Sequence, residues 1–339
     1  MATRMGDFGV TDYTSLMALA PRSQNFLQEL GLFGDFNTEY SDSRYGEFER
    51  EEKGITAMHN VARGADRQFA GSESARKEIL EIPYATLDTS VKPSEVEAFR
   101  EYGTEDAPAS VSQLVNRKVA HIQRSHARYI RNVMYTALVN NRIHAVDAAG
   151  NQVTTLAKNF STLWGANRQT GTIDLTNAAA DPFDVLEEQR QAISLLAGDD
   201  SDSYQMLYIC NTTQFSRLTG HARVRAAYEN YSSDQEPLRR RLGGDRINKF
   251  FTHKGITIVE DVSGQISNTA GFMLPLGIED MWQLRYAPAH TLDHVNQVSE
   301  GSYLFMVEGW RQVGVESEVA VAAVLCRPEL VANITATLV

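Results

Sequence analysis

"PASVSQLVNRKVAHIQRSHARYIRNVMYTALVNNRI", residues 108–143, sets the architecture of this chain. Apolar side chains recur at 111, 114 and 115, 119, 122, 129 and 130, 133 and 134, and 137 and 138. That spacing, kept over many turns, predicts one helix from 111 to 143. Ser110 and Gln113 match a capping box at its start. An ordinary globular helix has about 12 residues, so this one is a rod. It contains no Asp or Glu, but it carries Arg117, Lys118, Arg124, Arg128, Arg131 and Arg142, with His121 and His126. Such a row of like charges repels itself unless something compensates. An acidic segment of this chain or of a neighbour would serve, and so would a polyanion; otherwise the arginines are simply solvated.

The rod is basic inside an acidic protein. The 339 residues carry a formal net charge of −11, with 42% hydrophobic residues and a mean hydropathy of −0.32. The composition is that of a folded chain, and the length suggests about two domains, or one domain with long extensions. A chain this acidic does not wrap nucleic acid over its whole surface, although local basic segments can touch it. No apolar run is long enough to span a bilayer, and no membrane partner is expected. The N-terminal "MATRMGDFGVTDYTSLMALAPRSQ" lacks a basic segment followed by an apolar core. A signal peptide is therefore not expected, and the chain is expected to stay in the cytoplasm where it is made. Cys210 and Cys326 are far apart, each in an apolar run, and read as small core residues.

Upstream of the rod, residues 1–40 hold scattered apolar positions and read as an arm that must lie on something. "SQNFLQELGLFG" within it predicts a short helix closed by glycine. Residues 41–107 hold fifteen Asp and Glu against nine Lys and Arg. Two extended stretches there, "GEFEREEKGITAMHNV" and "KEILEIPYATLDTSV", flank a glycine-rich segment and predict a long hairpin. A lone hairpin is marginally stable in water, so this one needs a surface, and a neighbouring subunit is expected to provide it.

Downstream, "HAVDAAGNQVTTL" predicts strand–turn–strand around Gly150-Asn151. A polar loop is expected from there to about 180. "DPFDVLEEQRQAISLLAG" is a helix with Asp181 as cap, Pro182 in the first turn and Gly198 at the end. "YQMLYIC", "GITIVED", "FMLPLG", "SYLFMVEG" and "GVESEVAVAAVLC" are strands, and "TTQFSRLTGHARVRAAYENY" is an amphipathic helix. In "FMLPLGIEDMWQLRYAPAHTLDHVNQ" a Pro-Gly break is expected between two strands, followed by a polar tail.

Candidate chemistry is sparse. His290, Asp293 and His294 lie within five positions, but HxxDH is not the HExxH helix signature, and the stretch reads as a polar corner. Neither a nucleophile elbow nor a phosphate loop is present. "PLRRRLGGDRINK" collects Arg239, Arg240, Arg241, Arg246 and Lys249. Either these contact nucleic acid or an acidic neighbour, or they form a solvated loop. No cofactor and no metal site is expected.

The order of elements, from about residue 30 to the end, resembles the major capsid protein of tailed bacteriophages, the Hong Kong 97-type fold. "IPYATLDTSVKPSEVEAFREYGTED", "GITIVEDVSG", "FMLPLG", "RYAPAHTLDHVNQ" and "GVESEVAVAAVLCRPELV" resemble the lambda-like E family. After "YAPA" that family commonly has an acidic residue where this chain has His290, which sets a His-based function further aside. The resemblance implies an α+β fold in six parts. These are an N-terminal arm (1–40), an extended β-hairpin loop (41–108), a peripheral domain with the spine helix (109–180) and an α/β axial domain (181–284). Return strands of the peripheral domain (285–322) and a C-terminal segment back to the axial domain (323–339) complete it.

It implies a structural protein that self-assembles into hexamers and pentamers of an icosahedral shell around double-stranded DNA. Portal, scaffolding and decoration proteins are the implied partners, and the virion, assembled in the host cytoplasm, is the implied location. Arg117, Lys118, Arg124, Arg128, Arg131, Arg239, Arg240, Arg241, Arg246 and Lys249 are then the candidates for facing DNA or a neighbouring subunit. Two other readings remain. One is an encapsulin-like shell holding an enzyme, and the other a cytoplasmic metal-dependent hydrolase using His290 and His294.

Overall fold

The computed structural model describes residues 10–14, 25–34, 37–52, 74–98, 111–198, 204–229, 248–278 and 280–338. In chain order the first elements are β1 (Val10–Asp12), α1 (Phe26–Glu29), β2 (Thr38–Tyr40), β3 (Tyr45–Glu52), β4 (Ser74–Glu81), β5 (Tyr84–Thr86), β6 (Thr89–Val91) and α2 (Pro93–Ala98). The rod, α3 (Val111–Asn140), comes next, then α4 (Phe160–Trp164), β7 (Gln169–Asp174), α5 (Pro182–Ala197), β8 (Gln205–Asn211), α6 (Thr212–Gly220) and α7 (Ala222–Glu229). The chain closes with β9 (Phe250–His253), β10 (Ile256–Asp261), β11 (Ala270–Leu276), β12 (Trp282–Tyr286), β13 (Ser302–Glu308), β14 (Val313–Leu325) and β15 (Ala332–Thr337).

Two sheets organise these elements. One has six strands in the order β7-β15-β11-β8-β10-β9. The other has seven and runs β1-β13-β14-β12-β2, with β5 and β6 also paired to β14. β14 is the longest strand, 13 residues, and its second half is continuously buried. That burial explains why its sequence alternates first and then becomes wholly apolar. α3 packs along β14. Its N-terminal half closes a small core with Val91, Leu304 and Val315. Its C-terminal half enters the large core that also takes in the six-stranded sheet. One helix thus joins both layers.

Several boundaries depart from the sequence reading. α3 stops at Asn140, because Asn141 takes a left-handed conformation (φ 54°) and turns the chain, with its side-chain amide donating to Ser161 Oγ at 2.8 Å. The hairpin expected after it has a turn at Asp147–Gly150 but one bridge only, Val146 to Gln152. The expected polar loop contains α4 and β7; β7 pairs in parallel with β15. The amphipathic helix after β8 is two, α6 and α7, separated by an extended His221. Pro275 lies inside β11 opposite Met206, so the chain breaks instead at Gly277 (φ 105°). The surface on which the expected arm lies is, for residues 25–33, the main core of its own chain. Leu27, Leu32 and Phe33 are fully buried in the main core, and Phe33 meets the Trp282 ring edge-on at 5.1 Å.

Candidate assembly surfaces

Around α3 the buried side is formed by Leu114, Val115, Val119, Ile122, His126, Val133 and Ala137. Arg117, Arg124 and Arg128 follow at intervals of seven and four. At 3.6 residues per turn they fall within about 40° of one another on the opposite side, and Arg131 extends the stripe. The first three are exposed and Arg131 is half-buried. Arg124 Nε donates to the Ala120 carbonyl at 3.2 Å.

Lys118 is turned away from this stripe. Its ammonium lies 2.6 Å from Glu95 Oε2 on α2 and also donates to the Ser90 carbonyl. The hydrogen bond from Lys118 holds the Glu95 carboxyl below its usual range. Lys118 therefore ties α3 to the segment before it, and the acidic stretch that compensates it belongs to the same chain.

Of the second basic group, Arg239, Arg240, Arg241 and Arg246 lie outside the described residues. Lys249 is exposed, and its backbone N–H donates to Glu260 Oε2 at 3.3 Å.

The hairpin β3–β4 pairs Tyr45 with Glu81 through Glu52 with Ser74. Alternation gives it two unlike faces. Phe48 and Leu80 enter the main core. Beside them the Arg76 guanidinium donates to the carbonyls of Leu163 (2.7 Å) and Trp164 (3.3 Å). Arg50 pairs with Glu329 at 3.0 Å. The described base of the hairpin thus lies on its own chain, which corrects the expectation that a neighbour supports it; residues 53–73 lie outside the described ones. The outer face presents Tyr45, Glu47, Glu49 and Glu81 with Ile79, which is 62% exposed. Lys77 pairs there with Glu47 and, at 3.8 Å, Glu49; the Glu47 hydrogen bond raises its pKa.

The histidine stretch does not converge. The His290 N–H donates to Glu318 Oε2 at 2.8 Å. His294 is buried, with Nδ1 2.8 Å from Thr291 Oγ1 and its ring 4.9 Å from that of Tyr303. Asp293 is exposed. Among the described residues no group of three or more His, Cys, Asp or Glu could hold a metal ion, and no helix is long and apolar enough to cross a membrane. Cys210 and Cys326 are buried and free; burial pushes the Cys326 thiol up to about 12.

Two features escaped the sequence reading. Arg168 is nine-tenths buried beneath the last turn of α3. It donates to the carbonyls of Leu138 (2.6 Å) and Ala137 (2.9 Å) and to Asn333 Oδ1 on β15 (3.2 Å). These carbonyls belong to the helix end, which has no donors of its own and carries the negative pole of the helix dipole. Burial lowers the Arg168 pKa to about 9, so the group stays charged at neutral pH. Nothing local marks an Arg in a polar loop for this role. The second is the turn between β13 and β14, whose Trp310 is 89% exposed. Its signal was in plain view as an aromatic residue beside glycine between two alternating strands.

A helix bridging two sheets, with an acidic hairpin on the same core, carries broad surfaces for contact. Residues 10–336 match the family model described as phage major capsid protein E. The chain belongs to that family. This capsid protein is 25% identical over 318 residues to the major capsid protein of Pseudomonas phage KPP10, covering 88% of each. Among solved structures it superposes with a TM-score of 0.51 on a chain of the satellite phage P4 procapsid including size determination (Sid) protein. That chain is 12% identical, with 96% of this chain and 99% of that one covered. A chain from the capsid of Myoviridae phage XM1 gives a TM-score of 0.49 at 11% identity, with 92% and 91% covered. At 12% identity the likeness to the P4 procapsid chain speaks for the fold alone. The fold is the α+β, Hong Kong 97-type, and this is a structural protein of a viral capsid.

Proposed function

We propose that this protein forms hexamers and pentamers of an icosahedral shell that encloses double-stranded DNA. The family match over residues 10–336 carries this reading. In it, the six-stranded sheet with α5, α6 and α7 forms the axial domain. The seven-stranded sheet with α3 forms the peripheral domain, and the chain crosses between them near residues 165–168, 277–281 and 326–331. β7 then joins the axial domain, ahead of the boundary expected at 181. The extended loop expected at 41–108 is then carried by the β3–β4 hairpin, whose acidic outer face meets a neighbour, while β5 and β6 belong to the peripheral sheet. The Arg117, Arg124, Arg128 and Arg131 stripe faces the packaged DNA. Portal and scaffolding proteins, and a decoration protein where one exists, complete a particle assembled in the host cytoplasm.

Electron microscopy of the purified protein, with mass by light scattering, tests the reading. Closed shells or capsomer rings are expected. Nucleic-acid absorbance in the shells separates a genome container from an encapsulin-like compartment holding an enzyme. A small discrete oligomer under every condition overturns the proposal.

A further inference from the structure

We infer that the β13–β14 turn of one copy docks on the 287–301 loop of another, Trp310 against Leu292, Val295 and Val298. The inference rests on the shell reading only for its occupant, a second copy of this chain.

The turn is a compact projection. Glu308 pairs with Val313 as the last rung of the ladder, and the Gly309 N–H donates to the Gln312 carbonyl at 3.0 Å. Residues 308–312 are all exposed. Arg311 stacks its guanidinium 4.2 Å from the Trp310 ring centroid, so the tip is one aromatic and cationic knob. A tryptophan held in water by a short turn gives up its largest apolar contribution unless something covers it.

The loop is its complement. Leu292 is 86% exposed, Val298 65% and Val295 57%. Exposed aliphatic side chains are usual on a mobile segment, but this segment is pinned from beneath. The Ser299 hydroxyl donates to the Ala287 carbonyl at 2.8 Å, and the Ser299 N–H to the Ser41 carbonyl at 3.0 Å. The Glu300 N–H donates to Tyr303 Oη at 2.9 Å, and His294 plugs the interior between Tyr303 and Phe305. Asp293 and Glu300 are exposed within the same loop. A pinned loop that presents three aliphatic side chains and two carboxylates suits a knob made of an indole and a guanidinium. Holding both sides rigid beforehand lowers the ordering cost of the contact.

Position dictates the stoichiometry. The loop enters β13 at Ser302 and the turn leaves it at Glu308. At about 3.3 Å per residue the two lie roughly 20 Å apart at opposite ends of one strand. A single copy cannot bring them together. Between copies the contact is head-to-tail, which closes into a ring when the rotation allows.

The buried native cysteines make the test direct. Trp310→Cys and Leu292→Cys chains are prepared separately, mixed, assembled and treated with a short bismaleimide. The expected product is a covalent dimer in the mixture and not in either chain alone. Cross-linking of the Trp310→Cys chain with itself, or no dimer in assembled particles, overturns the inference while leaving the shell reading intact. Absence of any assembly by the unmodified chain overturns the shell reading itself, and no dimer is then expected. In parallel, Arg311→Glu lowers particle yield about tenfold, and adding Asp293→Arg restores it. An Arg311→Glu chain that assembles as the parent does also overturns the inference.

Discussion

The two halves of α3 are built to different ends. The C-terminal half, from about Tyr129 to Asn140, is enclosed by the main core. Val133, Met134, Ala137 and Leu138 are fully buried, and Tyr135 donates to the buried Asp261 on β10 at 2.9 Å. Arg168 ties off its last turn. The N-terminal half rests one side on the seven-stranded sheet and leaves Arg117, Arg124 and Arg128 exposed. A continuous helix thus has an anchored end and a presenting end. Substitutions at the first should cost stability, and substitutions at the second should change what the protein touches.

The largest effect is expected at the anchor. Arg168→Ala leaves two helix-terminal carbonyls and Asn333 without their donor in a buried place. The loss should be on the order of 3 kcal/mol, read as a lower denaturant midpoint for the unassembled chain. Arg168→Lys keeps the charge, but one ammonium cannot reach both carbonyls and Asn333 as the planar fork does. It should recover about half of the loss. An unchanged midpoint for Arg168→Ala would remove the distinction between the two ends.

The next effect sits where the halves meet. His126 is buried, and its Nε2 lies 3.0 Å from Ser317 Oγ. Ser317 donates its own proton to the Leu87 carbonyl at 2.5 Å. The histidine must therefore donate from Nε2, and Nδ1 is buried without a partner. Burial lowers its pKa from 6.5 to about 4. Between these values the unfolded chain holds a proton that the folded chain does not. The stability of this junction is intact above pH 6.5 and lost as the pH falls toward 4, by up to about 3 kcal/mol. His126→Gln should flatten that part of the stability–pH curve relative to the parent chain. An identical slope in both would assign the acid response elsewhere.

The anchored end also explains what could be read from the sequence. The rod, the capped α5 and the strands β8, β10 and β14 carry their signal in their own periodicity. Most of what escaped depends on distant partners. β7, "QTGTID", buries little of its own and is a strand because β15 arrives beside it some 160 residues later. Leu27, Leu32 and Phe33 look too few to make a core until Trp282 and its neighbours close over them. Arg168 is one polar residue among others until the end of α3 lies above it. The candidate surface was partly legible for the same reason. Helical spacing puts Arg117, Arg124 and Arg128 on one side, but it cannot foresee that Lys118 turns to Glu95.

The smallest effect on folding, and the most informative about contact, belongs to the presenting end. Arg124→Ala combined with Arg128→Ala removes two exposed charges whose loss leaves no buried group unpaired. The denaturant midpoint should stay where it is. If the stripe faces packaged DNA, each arginine neutralises about one phosphate. The slope of log affinity against log salt should then fall by about 2 for DNA bound to the disassembled subunits. Shells should still form at the parental yield and retain DNA less well as salt rises. If the acidic outer face of a neighbouring hairpin covers the stripe instead, shell yield drops and the DNA slope stays unchanged. Opposite charges at a subunit contact chiefly set register and encounter rate, so slower assembly is the signature of that second outcome. Measuring both quantities on one double variant therefore decides which polyanion the basic side of the rod was built to meet.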